Sequence, residues 1–428
     1  MAYTAIYPKD RGTMKLIKQW ICSVGTFLIL SSQSVAQPLV QLDQEQLASA
    51  KAAIIDKSAP QTTLTAYHQL LAKADALLDE PNPSVMNKTF FPPSKDKHDY
   101  LSISRYWWPD KSQPDGLPWI RKDGHTNPST QTDDVDRPRI GRMADAVSIL
   151  GLAYYYSGNE HYAQKGASII NTWFLDDATR MNPNLQYAQS VPGNPNGRRS
   201  GILDGRLIPL QVLDGLVLIS DSRYWSDKDN TQMNAWLTNY LDWLTTSDLG
   251  IQGAQQINNH GSWYKFQIAA LSWYLGNDEQ TEEVIDATKD SLSYQFSADG
   301  SQPEELERTR SFFYSTFNLE ALTSIAIIAD KTGSSLWTYQ TPKGNSLTSA
   351  IDYLMPVAEG KAWPYPTPGV DLAYLAPLLA RIAPQADSAR YADALKHILK
   401  DLAANPDKKA YQQTIYDDLA LRYPHYMQ

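Results

Sequence analysis

The sequence predicts an all-α protein, an α/α toroid: an incomplete barrel of about six to seven helical hairpins around a central cleft. Three observations carry this. Apolar residues recur at helical spacing in one segment after another, most of them roughly 15–20 residues long. Short breakers such as Ser157-Gly158-Asn159, Gly276-Asn277 and Thr332-Gly333 separate the segments where C-caps and turns belong. Strand-like alternation is scarce, and neither a Gly-rich phosphate loop nor a dinucleotide fingerprint occurs.

In order, Gln41–Ile55 and Thr62–Leu78 read as amphipathic helices rich in Ala and Leu. An irregular stretch from Asp79 to about Asp133 follows, dense in Pro, Gly, Asp and aromatics. Loops of that length inside a folded domain are functional or disordered, and Tyr100, Tyr106, Trp107, Trp108 and Trp119 argue against disorder. Helices are then expected over Pro138–Ser157, Glu160–Phe174, Gly205–Ile219, Asp227–Thr246, His260–Leu275, Asp278–Phe296, Phe312–Lys331, Leu347–Glu359, Leu372–Ile382 and Ser388–Ala403. Nothing marks a second domain, so residues 37–428 are expected to form one.

Residues 1–36 read differently. Lys15 and Lys18 precede an apolar run from Trp20 to Leu30, and Ser34-Val35-Ala36 then offers small residues before Gln37. This is the layout of a secretory signal, with residues 1–13 as an upstream extension, and the run is too short for a comfortable permanent anchor. The expected location is the periplasm or the exterior, with no stable membrane insertion after cleavage. The only cysteine, Cys22, lies in this segment, so the mature chain relies on a packed core rather than disulfides. Residues 1–36 carry four bases and one acid, and without them the formal charge falls from −9 to −12. So acidic a chain is not a nucleic-acid binder, and a polyanionic partner must meet a local positive groove.

Two segments hold the chemistry. In Asn258-Asn259-His260-Gly261-Ser262-Trp263-Tyr264 the asparagines cap a helix and place His260 in its first turn. There the helix dipole favours the neutral imidazole, the form a general base needs. Trp263, Tyr264 and Gln267 follow at i+3, i+4 and i+7 as candidate substrate contacts. The second segment, Glu307-Arg308-Thr309-Arg310-Ser311-Phe312-Phe313-Tyr314, offers guanidinium groups and a phenol. A uronate needs both, because removing its C5 proton piles negative charge beside an ionised carboxylate. Asn259 with Arg308 or Arg310 would neutralise that carboxylate, and Tyr314 would protonate the departing O4. Read alone, His260 is more simply a capped-helix histidine, and the arginines a solvated face paired with Glu304, Glu305 and Glu307. Arg137, Arg139 and Arg142, with Arg198, Arg199 and Arg206, are candidates for the positive groove, and Tyr106, Trp107 and Trp108 for stacking on sugar rings. The remaining histidines are scattered, so neither a metal nor any other cofactor is expected.

The Asn-Asn-His-x-x-Trp stretch and the later Arg…Tyr, together with Leu101–Asp110, Asp115-Gly116-Leu117-Pro118 and Asp123–Pro128, resemble the alginate lyase superfamily of polysaccharide lyases, from roughly Tyr100 to Ala380. The resemblance implies an α/α toroid, an Asn-His pair and an arginine as catalytic residues, and a tyrosine as proton donor. Carried over, these are Asn259, His260 and Tyr314. The mannuronan type has its arginine seven residues before the tyrosine, where this chain has Glu307, so Arg308 and Arg310 both stand as counterparts. Gly261-Ser262-Trp263 is closer to the branch that includes glucuronan and alginate lyases than to the mannuronan type's Ser-Tyr-Trp.

The expected substrate is thus an acidic β-1,4-linked polyuronate, polymannuronate or glucuronan, cleaved by β-elimination to leave 4,5-unsaturated ends. The two sugars share configuration at C4 and C5 and differ at C2, so one syn layout serves both. Two alternatives stand beside this reading. One is a glycoside hydrolase drawing a carboxylate pair from Asp133, Asp134, Asp204 and Glu304. The other is a non-catalytic polyuronate-binding protein.

Overall fold

A computed structural model describes residues 37–194, 201–385 and 389–427. The expected leader, Arg198 and Arg199, and Ser388 at the head of one expected helix lie outside the described residues.

Helices dominate, in the order α1 (Gln44–Ile55), α2 (Gln61–Leu78), α3 (Arg137–Ser157), α4 (Glu160–Ile170), α5 (Leu213–Ile219), α6 (Asp227–Thr246), α7 (Asp248–Ala254), α8 (Asn259–Tyr274), α9 (Asp278–Gln295), α10 (Pro303–Leu306), α11 (Ser311–Thr332), α12 (Leu347–Ala358), α13 (Ala376–Ile382), α14 (Ala389–Ala404) and α15 (Ala410–Arg422). Capping chemistry sets many of the boundaries. Ser226 and Asp229 form a capping box on α6, and Ser346 and Ser349 another on α12. The Gly158 and Gly333 breakers stop α3 and α11. Wide turns extend α4 through Asn171–Leu175 and precede α5 over Ile208–Val212.

The helices close into a ring. α3 packs on α2 and α5, α8 on α6 and α11, α11 on α13, α13 on α15, and α15 returns to α2. Partners on the outside include α4 against α3, α9 against α8, α12 against α11 and α14 against α13. The architecture is the expected α/α toroid. Because α8 and α11 are encased, they are apolar nearly all round rather than on one stripe. α11 is long and apolar enough to cross a membrane by composition, yet most of it is buried in the protein core. α3 and α5 cross so closely at Gly151 and Gly215 that a Cβ on Gly151 would lie 2.7 Å from the Gly215 carbonyl oxygen.

The segment before α1 ties the ring together. The Gln41 and Leu42 backbone amides each donate to the Asp214 carboxylate of α5 at 2.8 Å. Lys331 Nζ donates to the Leu39, Val40 and Leu42 carbonyls, and Arg422 of α15 to that of Gln41.

The long irregular stretch is ordered, and it builds one wall of a cleft at the ring's mouth. Strand β1 (Leu101–Ile103) pairs in parallel with β4 (Tyr187–Ser190), with Leu101 opposite Tyr187 and Ile103 opposite Ser190. Strand β2 (Trp107–Trp108) pairs antiparallel with β3 (Ile120–Arg121).

Candidate active site

The cleft has a volume of about 240 Å³, and its floor comes from α8 and α11. Asn258 caps α8 by accepting from the His260 backbone N–H at 3.1 Å, which sets Asn259 and His260 in the first turn facing the cleft. Gly261 is required here. A Cβ at that position would collide with the Gln256 carbonyl, because the chain doubles back on itself before entering α8.

Asn259 is 1% exposed, and buried Glu305 grips it twice. The Asn259 backbone N–H donates to Glu305 Oε1 at 2.7 Å, and its side-chain Nδ2 donates to Oε2 at 2.8 Å. Among the described residues its Oδ1 has no hydrogen-bond partner, so the Glu305 clamp fixes the amide in one orientation with its acceptor toward the cleft side left unused by them.

Tyr314, on the first turns of α11, is 7% exposed. Its hydroxyl donates to the Tyr106 hydroxyl at 2.9 Å. The Arg308 guanidinium lies 3.7 Å from its ring centre. Burial holds the phenol above the ordinary tyrosine range. Arg308 opposes that shift and Tyr106 reinforces it. The free phenol is therefore a proton donor near neutral pH and not a phenolate base.

Arg308 is itself clamped. Its Nε and Nη2 donate to the two Asp123 carboxylate oxygens at 3.2 and 2.9 Å, and Arg121 and Thr309 donate to the same carboxylate. Although burial works the other way, the hydrogen bonds and charges of Arg308 and Arg121 hold Asp123 well below the usual carboxylate range. Thus Arg308 pairs across the cleft with the Asp-Gly-His loop. Arg310 stands outside the cleft lining, with its guanidinium 4.4 Å from the Phe313 ring centre.

The other expected contacts divide. Tyr106, Trp107, Arg137 and Arg206 line the cleft. Arg206 lies over the Trp263 and Phe317 rings at 5.4 and 5.2 Å, and burial pushes its pKa down to about 10, which leaves it cationic at neutral pH. Trp108 instead donates to the His125 carbonyl outside the lining, and Arg142 pairs with Asp133 on the surface. Trp263 and Gln267 are core residues, each fully buried, and Gln267 accepts from Tyr240 and donates to the Ile202 carbonyl. Tyr264 donates to the Leu244 carbonyl, away from the cleft. The i+3 and i+7 spacing does define a face of α8, but a buried one, on which Trp263 lies under Arg206.

Lining or supporting residues to which the sequence assigns no site role include Glu305, Asp123, Gln189, Arg105 and Arg121. The first two act through partners 46 and 185 residues away, a separation that no local motif encodes. Gln189 has the one local oddity, a φ of 49°, and its amide donates to Asp204. Asp204 is the only one of the four carboxylates considered for a hydrolase that lines the cleft. It accepts from Tyr100 at 3.0 Å and from Ser102 at 2.6 Å. Among the described residues, no three His, Cys, Asp or Glu side chains are grouped to hold a metal ion.

Comparison with known proteins bears on the family and the fold. The family model for alginate lyase matches residues 84–363. The chain belongs to the alginate lyase family. It is similar to an alginate lyase from Bacteroides ovatus at 34% identity, with a TM-score of 0.80 over 89% of this chain and 99% of that one. It shares its fold with alginate lyase A1-III from Sphingomonas species A1, at 15% identity and a TM-score of 0.53 over 82% of this chain and 90% of that one. A variant of the latter complexed with a tetrasaccharide superposes at a TM-score of 0.55, with 15% identity and the same shares of each chain covered. No curated protein matches the chain in sequence. As an alginate lyase family member on this toroid, the chain is a polysaccharide lyase.

Proposed function

We propose that this lyase cleaves a β-1,4-linked polyuronate of the mannuronate or glucuronate type by syn β-elimination. The observation that carries the reading is Tyr314: a buried, protonated phenol under Arg308, in a cleft it shares with Asn259 and His260. Arg308 uses Nε and Nη2 on Asp123, so its remaining edge can face the C6 carboxylate, with Asn259 beside it to stabilise the enolate-like intermediate. His260 takes the C5 proton. Tyr314 gives its proton to O4 as the C4–O4 bond breaks, leaving a C4–C5 double bond on one fragment and a hydroxyl on the other. Because the free phenol holds its proton, the base is assigned to His260 rather than to Tyr314 acting twice.

A panel of polymannuronate, polyguluronate, glucuronan and hyaluronan, read by ultraviolet absorbance and product mass, tests this. Unsaturated uronate ends from polymannuronate or glucuronan are expected. Tyr314→Phe and His260→Ala should each lose about 10²–10⁴-fold in kcat. Saturated reducing ends only, or no product from any polyuronate, would sink the proposal. The leader reading extends the proposal to an exported enzyme, and a mature chain starting near Gln37 by mass spectrometry is the expected result.

A further inference from the structure

The β1–β4 ribbon has a second face. Gln189 lines the cleft while Tyr187 and Ser190 line the other side, an arrangement that regular strand alternation would not give and that the Gln189 φ of 49° breaks, and Ile103 of β1 borders both sides. On the far side lies a recess of about 1080 Å³, bounded by Phe90, Phe91, Tyr187, Gln186, Gln252 and Asp248.

Three features of this recess belong together. First, Phe90 and Phe91 are 49% and 57% exposed, a neighbouring pair of open rings with Lys97 Nζ 5.1 Å from the Phe91 ring centre. They are held in place, because the Phe90 backbone N–H donates to the Asp134 carbonyl at 3.0 Å and two prolines follow. Second, the cleft is smaller than the roughly 300–1,000 Å³ of a typical ligand pocket, so a polymer seated in it must continue outside it. Ile103 makes the recess the adjoining space. Third, the charge pattern changes across the ribbon. The cleft is lined by Arg105, Arg121, Arg137, Arg206 and Arg308, whereas the described lining of the recess has no Lys or Arg and one acid, Asp248, with a single cation, Lys97, beside its Phe91 ring.

The geometry points to this recess as an extended sugar-binding ledge that holds further units of the same polyuronate chain, next to the unit being cleaved. Its aromatic rings take the C–H faces of the sugars, the Gln186 and Gln252 amides reach their hydroxyls, and the carboxylates turn outward, away from Asp248. The cleft recognises charge and the ledge recognises the sugar faces.

This rests on the polyuronate lyase reading, and the test keeps the two apart. Turnover of a polymannuronate or glucuronan chain of about twenty units would be compared with turnover of the matching trisaccharide, which has few units to spare for the ledge. In the F90A/F91A variant, kcat/KM on the long chain should fall about 5–30-fold through KM and stay within about twofold on the trisaccharide. Phe91→Trp, which keeps a stacking surface, should retain the long-chain preference. A wild-type ratio of long-chain to trisaccharide turnover in the folded double variant overturns the ledge. So does an equal loss on both substrates, or a change of oligomeric state that tracks the loss. Failure of the lyase reading would show instead in the wild type, as no unsaturated product from either length.

Discussion

Two of the polar groups assigned to the reaction are each held by a carboxylate outside the set of groups assigned to it. Glu305 fixes Asn259, and Asp123 fixes Arg308 against the Tyr314 ring. This preorganisation matters because a catalytic group lowers a barrier only when its geometry is set before charge develops. Glu305→Gln keeps the size but leaves one oxygen facing two N–H donors. A loss of about 10–100-fold in kcat with little change in KM is expected, and steady-state kinetics on polymannuronate or glucuronan checks it. Asp123→Asn should free Arg308 to reorient and raise KM as well as lower kcat, because that arginine grips the ground-state carboxylate too. The acid behaviour of Asp123 follows from its depressed pKa. Its folded-state stabilisation is fully present above the unfolded carboxylate value near pH 4 and is lost as the pH falls below it. The wild-type advantage in Tm over Asp123→Asn should therefore be flat from about pH 6 to 8 and shrink below about pH 4.

At the scale of elements, α8 carries both the chemistry and an unusual cost. Lys265, five residues beyond His260, is 7% exposed, and its Nζ has no hydrogen-bond partner among the described residues. Burial pushes its pKa down to about 8 from 10.5. The unfolded chain thus holds this proton more tightly than the folded one, and the penalty is complete below about pH 8 and fades as the pH rises to 10.5. Lys265→Met should stabilise the protein by about 2–4 kcal/mol at pH 7 and by little at pH 10.5, measured by urea unfolding at both pH values. Gly261→Ala, at the start of the same helix, should cost about 1–3 kcal/mol, because its methyl meets the Gln256 carbonyl. These elements also show what the sequence could reveal. The expected His260–Leu275 and Phe312–Lys331 lie within one residue of α8 and α11 at each end, because caps and long apolar runs mark them. α7 and α10 went unread at seven and four residues, too short to show a period, and α15 reads as polar because its buried positions are few. Asn259, His260, Arg308 and Tyr314 are marked by local motifs, and the fold brings the four to one cleft. Trp263 and Gln267 were misread because helical spacing groups residues on a face without saying what the face meets.

On the scale of the whole molecule, the chain is acidic, yet its cleft gathers five arginines against one lining carboxylate, Asp204. A polyuronate approaching at random meets repulsion over most of the surface and attraction at one mouth, which orients the encounter as much as it strengthens it. Two ranges of interaction follow, and salt separates them. Between exposed charges, the attraction is screened beyond about 10 Å at 0.1 M ionic strength. Arg308 and Arg206 lie in the cleft wall against rings, where screening reaches them less. Raising NaCl from about 50 to 500 mM should thus lower kcat/KM on a long polyuronate several-fold, chiefly through slower capture, and leave kcat within about twofold. Arg105→Gln, at an exposed rim position, should flatten the salt dependence without changing kcat, whereas Arg308→Lys should lower kcat at every salt concentration. A parallel fall of kcat with salt in the wild type would mean that the steering field and the catalytic cations are not separable, contrary to the geometry of the clamped Arg308.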